Sequence, residues 1–118
     1  MAQSTTLQLL GQTAYNAGSP NPVVRGIKQP AAAYYLGNAD LQTVTWSLSG
    51  VTGTIIIQAT LLTEPNITTD SDWFTVYLNS VEGLSENGYT NITGNYVWLR
   101  AKLNNFSAGV VQNIKVSY

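Results

Sequence analysis

The run TVTWSLSGVTGTIIIQATLL, residues 43 to 62, constrains the fold more than any other stretch. Before the glycines, Val44, Trp46 and Leu48 alternate with polar residues; after them Ile55, Ile57, Ala59 and Leu61 share one face. A period of two belongs to strands, and it sends each apolar set to one side of a sheet. Gly50-Val51-Thr52-Gly53 between them reads as a short glycine-bounded loop, so the expectation is an antiparallel hairpin with both apolar faces in the core.

Elsewhere, helix signals are nearly missing. Short β-branched and aromatic runs recur between Gly, Pro, Asn and Ser clusters. The expected strands cover residues 7 to 10, 23 to 28, 32 to 36, 41 to 49, 54 to 62, 73 to 79, 89 to 93, 96 to 103 and 110 to 118. Eight or nine short strands imply an all-β, two-sheet antiparallel β-sandwich, jelly-roll-like in form. In the sixth of these runs, Phe74, Val76 and Leu78 make one apolar face, with Trp73 and Tyr77 on the other. The stretch GQTAYNAGSPNP breaks the pattern with Gly11, Gly18, Pro20 and Pro22. It divides the chain into an irregular N-terminal arm with short strands, residues 1–30, and a sandwich, residues 31–118. Such an arm either wraps its own sandwich or reaches a neighbour, with Tyr15 as the contact residue.

The residues present exclude several chemistries. The chain of 118 residues has no His and no Cys. Ser-His-Asp and Cys-His catalysis, and zinc bound by His or Cys, are therefore impossible. No acid sits in an apolar strand pattern that would desolvate it for glycoside hydrolysis, so no enzymatic activity and no cofactor are expected. Asp70 and Asp72, in TTDSDW, could give oxygen ligands to Ca²⁺ with Glu64 or Asn66, or could simply cap a turn. There is no phosphate-binding loop. Charged residues are 9% of the chain, against about 25% in an average soluble protein. With a net charge of -1 and five scattered cations, neither nucleic acid nor a membrane is an expected partner. A neutral surface rich in hydroxyls and amides instead favours association, including with copies of itself. The opening MAQSTTLQLLG has no signal-peptide character, so the sequons at Asn66, Asn91 and Asn105 are read as products of composition.

One candidate binding face remains. In NYVWLRAKLNNFSAG, if Val97, Leu99, Ala101 and Leu103 face the core, then Tyr96, Trp98, Arg100 and Lys102 face outward. Aromatics beside cations suit three uses: cover for a sheet edge with Arg stems along the rings, a protein interface, or a sugar platform formed by Trp73, Tyr77, Tyr96 and Trp98.

Four segments in order, TWSLSGVTGTIIIQATL, SDWFTVYLN, YTNITGNYVWLRAKLNNFSAG and VVQNIKVSY, carry a family resemblance over residues 41 to 118. The chain resembles the small discoidin-like or jelly-roll β-sandwich structural proteins of tailed-phage virions, especially those of marine and cyanobacterial phages. That resemblance implies a place in the virion and contacts with capsid or tail proteins, as a capsid decoration or cement protein. It brings no catalytic residues. Carbohydrate-binding sandwiches share the aromatic-rich pattern, so a glycan-binding module of a tail, neck or fibre is the alternative.

Overall fold

The computed structural model describes residues 6–16, 18, 22–31 and 41–118, and holds no helix among them. Its strands are β1 (Thr6–Leu10), β2 (Thr13–Ala14), β3 (Val24–Arg25), β4 (Gln29–Pro30), β5 (Leu41–Thr60), β6 (Phe74–Leu84), β7 (Asn87–Thr93) and β8 (Trp98–Ser117). All pairings are antiparallel. The expected strand at residues 32 to 36 lies outside the described residues.

Two 20-residue strands organise everything else. β5 and β8 pair from Thr43↔Ser117 to Thr60↔Trp98. The other edge of β8 is lined by β1, β2, β3 and β4 in turn; the other edge of β5 is lined by β7 along its first half and β6 along its second. Midway the ladder slips, between Ser49 and Thr54 on β5 and between Asn104 and Val110 on β8. Gly50 (φ 61°), Asn105 (φ 50°) and Gly109 (φ 90°) turn the chain there through left-handed backbone. The inward set changes phase at the same place. On β5 it passes from Val44, Trp46 and Leu48 to Val51, Ile55, Ile57 and Ala59; on β8, from Leu99, Ala101 and Leu103 to Ile114 and Val116. A one-residue slip flips a strand's faces, so the irregular bend lets both halves of each strand bury their apolar sides in one core.

Each long strand therefore serves two layers. One contains β7, β5 (41–49), β8 (110–117), β1 and β2; the other contains β6, β5 (54–60), β8 (98–104), β3 and β4. Taking the half-strands in chain order, first pairs with last, second with seventh, third with sixth and fourth with fifth, which is the strand order of a jelly roll.

The expected hairpin at Gly50–Gly53 does not form, because β5 bends there without reversing and continues as one strand. Threaded between β8 and the β6–β7 pair, both halves of β5 have partners along both edges, which meets the demands of their backbone groups. The short strands of the first thirty residues are present, and they are zipped to β8 as sheet edges instead of standing apart. Tyr118 Oη donates to the Pro30 carbonyl at 2.7 Å and fastens the end of β4 to the residue that follows β8. Phe106, at the bend, is 1% exposed and meets Tyr15 edge-on at 5.7 Å. Burial of each large apolar side chain of this kind contributes about 1.5–3 kcal/mol. The face expected of residues 74 to 78 is reversed in part. A bulge opposite Ile57/Gln58 shifts the register, Tyr77 turns inward to stack on Trp46 at 5.5 Å, and Leu78 points out. Leu61 lies past the end of β5 and is exposed rather than in the core.

The bend yields a prediction. At Gly109 a Cβ would strike the Gly50 carbonyl and sit at a left-handed φ, whereas at Gly50 it would meet nothing. Gly109→Ala should cost about 2–4 kcal/mol and Gly50→Ala about 1 kcal/mol. Both should appear as a lower urea midpoint at unchanged slope.

Candidate functional site

Trp98, Arg100 and Lys102 do point away from the core, on the outer face of the second layer, across from Thr60, Gln58 and Ile56 of β5 and next to Arg25 of β3. That face is not open. Residues 61–73, which join β5 to β6, lie across it. Asp70 is the centre of the arrangement: its carboxylate pairs with Arg25 Nε at 3.2 Å, with Arg100 Nη2 at 3.0 Å, and with Lys102 Nζ. Arg100 also donates from Nε to Gln58 Oε1 (2.8 Å), from Nη1 to the Ile67 carbonyl (2.9 Å) and from Nη2 to the Thr69 carbonyl (3.0 Å). The buried Trp73 ring covers its guanidinium at 4.2 Å. Arg100 is thereby 1% and Lys102 7% exposed.

Local sequence shapes the segment. Asn66 Oδ1 accepts from the Thr68 N–H and hydroxyl, the Asp72 carboxylate accepts from the Asn66 N–H at 2.7 Å, and Trp73 Nε1 donates to the Asn66 carbonyl at 2.9 Å. Trp98 Nε1 donates to the Thr63 carbonyl at 3.0 Å, and Lys28 lies 4.3 Å over the Trp98 ring.

Several expectations are corrected here. Arg100 and Lys102 point outward as expected but lie under a folded-down segment that they support, so they do not form an open face. The cations are not scattered: four of the chain's five, Arg25, Lys28, Arg100 and Lys102, share this side of the molecule. Asp70 is committed to three of them and Asp72 to a backbone N–H, so the pair caps and pins a turn. Among the described residues no three His, Cys, Asp or Glu side chains come together to hold a metal ion. Trp73, Tyr77 and Tyr15 pack against the molecule's own residues. Tyr96, half-buried, lies against Phe74 at 5.6 Å.

The outer face of the first layer is open and different in character. Cross-strand rows place Asn91, Thr43, Ser117 and Thr6 side by side, then Tyr89, Thr45, Lys115 and Gln8, then Asn87, Ser47 and Asn113. Hydroxyls and amides bond within the first row, Thr43 Oγ1 to Asn91 Oδ1 at 2.7 Å and Thr6 Oγ1 with Ser117 Oγ at 3.0 Å. Lys115 is the face's single charge among these residues. A groove of about 450 Å³ runs between Thr45, Ser47, Asn87, Tyr89, Asn113 and Lys115, and Tyr89 stands 69% exposed at its side. Trp46 and Gly88 also line it; on the inner side of this pair the Trp46 indole passes over Gly88, where any Cβ would collide with it. Tyr89 escaped the sequence reading. The available signal was the inward Ile92, whose phase sends Tyr89 and Asn91 outward.

Electrostatics follow the geometry. Burial raises the Asp70 pKa, but hydrogen bonds from Lys102 and Arg25, together with their charges, outweigh it and hold the carboxyl well below the usual carboxylate range. Burial lowers the Arg100 pKa and the Arg25 charge acts in the same direction, against the opposing pull of Asp70. Because the folded pKa of Asp70 lies below its unfolded value of about 3.9, its stabilisation is fully present above about pH 5 and drains away as the pH falls further. Asp70→Asn should cost about 2 kcal/mol at pH 7, less than a fully buried pair because the carboxylate keeps contact with water. The gap in urea midpoint between wild type and variant should narrow steadily as the pH falls below 5 and should still be partly open at pH 2.

No protein-family model matches the chain, and no curated protein matches its sequence. Its backbone is similar to that of protein YomS derived from the SPBc2 prophage, with a TM-score of 0.57 at 12% identity over 98% of this chain and 91% of that one. It is also similar to the K2 cleaved adhesin domain of Lys-gingipain, with a TM-score of 0.53 at 11% identity over 98% and 88%. At these identities the likeness is one of fold.

Proposed function

We propose that this chain is a non-enzymatic structural protein of a phage particle, a capsid decoration protein held in the virion by protein–protein contacts. The observation that carries the reading is the outer edge of β6. Among the described residues β6 pairs only with β5, leaving one side of an 11-residue strand without a partner. Its sequence FTVYLNSVEGL has one charge, Glu82, and no proline or lysine, the devices that normally blunt such an edge. Phe74 and Leu78 are exposed along it, and Tyr77–Val81 lies between its two irregularities. A strand of another subunit, or of a second copy, can add to that edge, with backbone bonds giving affinity and Leu78 a side-chain contact. The 9% charge content and the fold shared with a prophage-derived protein support the reading. Modest contacts repeated over a lattice supply the strength.

A second reading rests on a different observation, the open groove. Tyr89 offers an exposed ring for stacking on a sugar face, and the surrounding Asn, Ser and Thr groups match hydroxyls without the mismatch of charge. Glycan binding would therefore use Tyr89, not Trp98 and Tyr96, whose rings are engaged by Lys28 and Phe74.

Mixed with undecorated capsids of the phage that encodes it, the protein should co-sediment, and Leu78→Lys should reduce occupancy at least tenfold while changing stability by less than about 0.5 kcal/mol. Failure to co-sediment with capsids, tails and fibres alike would overturn the virion reading. On a glycan array, saturable binding abolished by Tyr89→Ala and kept by Trp98→Ala would establish the second reading, and an empty array would remove it.

A further inference from the structure

A separate cleft of about 420 Å³ opens between the segment joining β3 to β4 and the segment that covers the cation face. Its lining includes Arg25, Lys28 and Arg100, with Ile27, Ile67 and Thr68, and no acid. Three of the four cations on this side already share the single Asp70 carboxylate, which leaves the cluster about two charges in excess before Lys28 is added. Lys28 has no carboxylate partner among the described residues; its contact is the Trp98 ring. Arg100, 1% exposed and with four of its five N–H groups already given acceptors, stands behind the lining and adds its charge to the cleft without being open to it. Uncompensated cations in a walled space attract an anion more strongly than on a flat wet surface, because the low-dielectric walls focus their field. The rim is apolar: Ile27 is 67% and Ile67 56% exposed, on opposite sides of the opening.

We infer that this cleft is a binding site for a small organic carboxylate, its charged end against Lys28 and Arg25, with the charge of Arg100 behind them, and its apolar end between Ile27 and Ile67. A bare inorganic anion would leave the two isoleucines unused, and a neutral apolar molecule would leave the cations unmatched. The site is on the opposite layer from the Tyr89 groove and away from the β6 edge, so it stands whether or not either reading of function holds.

The test is a ¹H–¹⁵N NMR titration of the whole chain with sodium butyrate, alongside sodium sulfate, n-butanol and sodium chloride at matched ionic strength. Butyrate should give saturable shifts at Ile27, Lys28, Ile67 and Thr68, and sulfate and butanol should bind at least threefold more weakly. Lys28→Gln should weaken butyrate about tenfold, the scale of one charge-assisted hydrogen bond, with the remaining spectrum unchanged. Ile27→Ser should weaken butyrate and leave sulfate as it was. Shifts that grow linearly or are reproduced by chloride, tighter binding of sulfate than of butyrate, or an unaltered butyrate affinity in a folded Lys28→Gln protein would each overturn the assignment.

Discussion

The antiparallel pair of β5 and β8 has to bend, and most of the molecule follows from that. A ladder reaching from Thr43↔Ser117 to Thr60↔Trp98 is too long to stay flat and still bury one side, so it folds on itself at Gly50–Gly53 opposite Asn105–Gly109. The fold works only because the inward phase changes at the bend on both strands. Without that change one half would present Thr45 and Ser47 to the core and the other half Val51 and Ile55. The flanking strands need only extend the ladder, which explains how two-residue strands such as β2, β3 and β4 survive: β8 supplies all their pairing.

The two outer faces created by this bend meet water differently. Residues 61–73 cross only the second layer, because they leave β5 at its end in that layer and return as β6 in the same layer. They bring Asp70 onto Arg25, Arg100 and Lys102 and leave the hydroxyl and amide rows of the first layer uncovered. A chain with so few charges thus concentrates them where they hold its own covering segment, and keeps its open face nearly neutral.

Which parts could be read beforehand depended on range. Alternation located nearly every strand and most of the core, including Val44, Trp46, Ile55, Ile57, Leu99 and Leu103, because the period of two is a local property. Gly50-Val51-Thr52-Gly53 misled, since the same glycines that permit a reversal also permit a bend, and the choice is made by β8, about fifty residues away in sequence. The outward direction of Trp98, Arg100 and Lys102 was legible; the segment lying on them was not, because nothing local says that Asp70 reaches across thirty or more positions. Tyr89 was passed over since GYTNIT holds one aliphatic residue, too few for alternation to assert itself.

A buried arginine is not, in itself, a good source of stability, since a well-packed apolar side chain in its place is often as favourable. Its worth here comes from what lies above it. Residues 61–73 bury little apolar surface of their own beyond Trp73 and Pro65, so hydrophobic burial alone would leave their position poorly determined. Their carbonyls at Ile67 and Thr69 and the Asp70 carboxylate need donors, and a guanidinium offers several in one rigid plane. Lysine at position 100 would supply charge without that geometry. Directional bonds to Arg100 thus fix the long connection from β5 to β6, and with it the wall of the cleft beside Lys28.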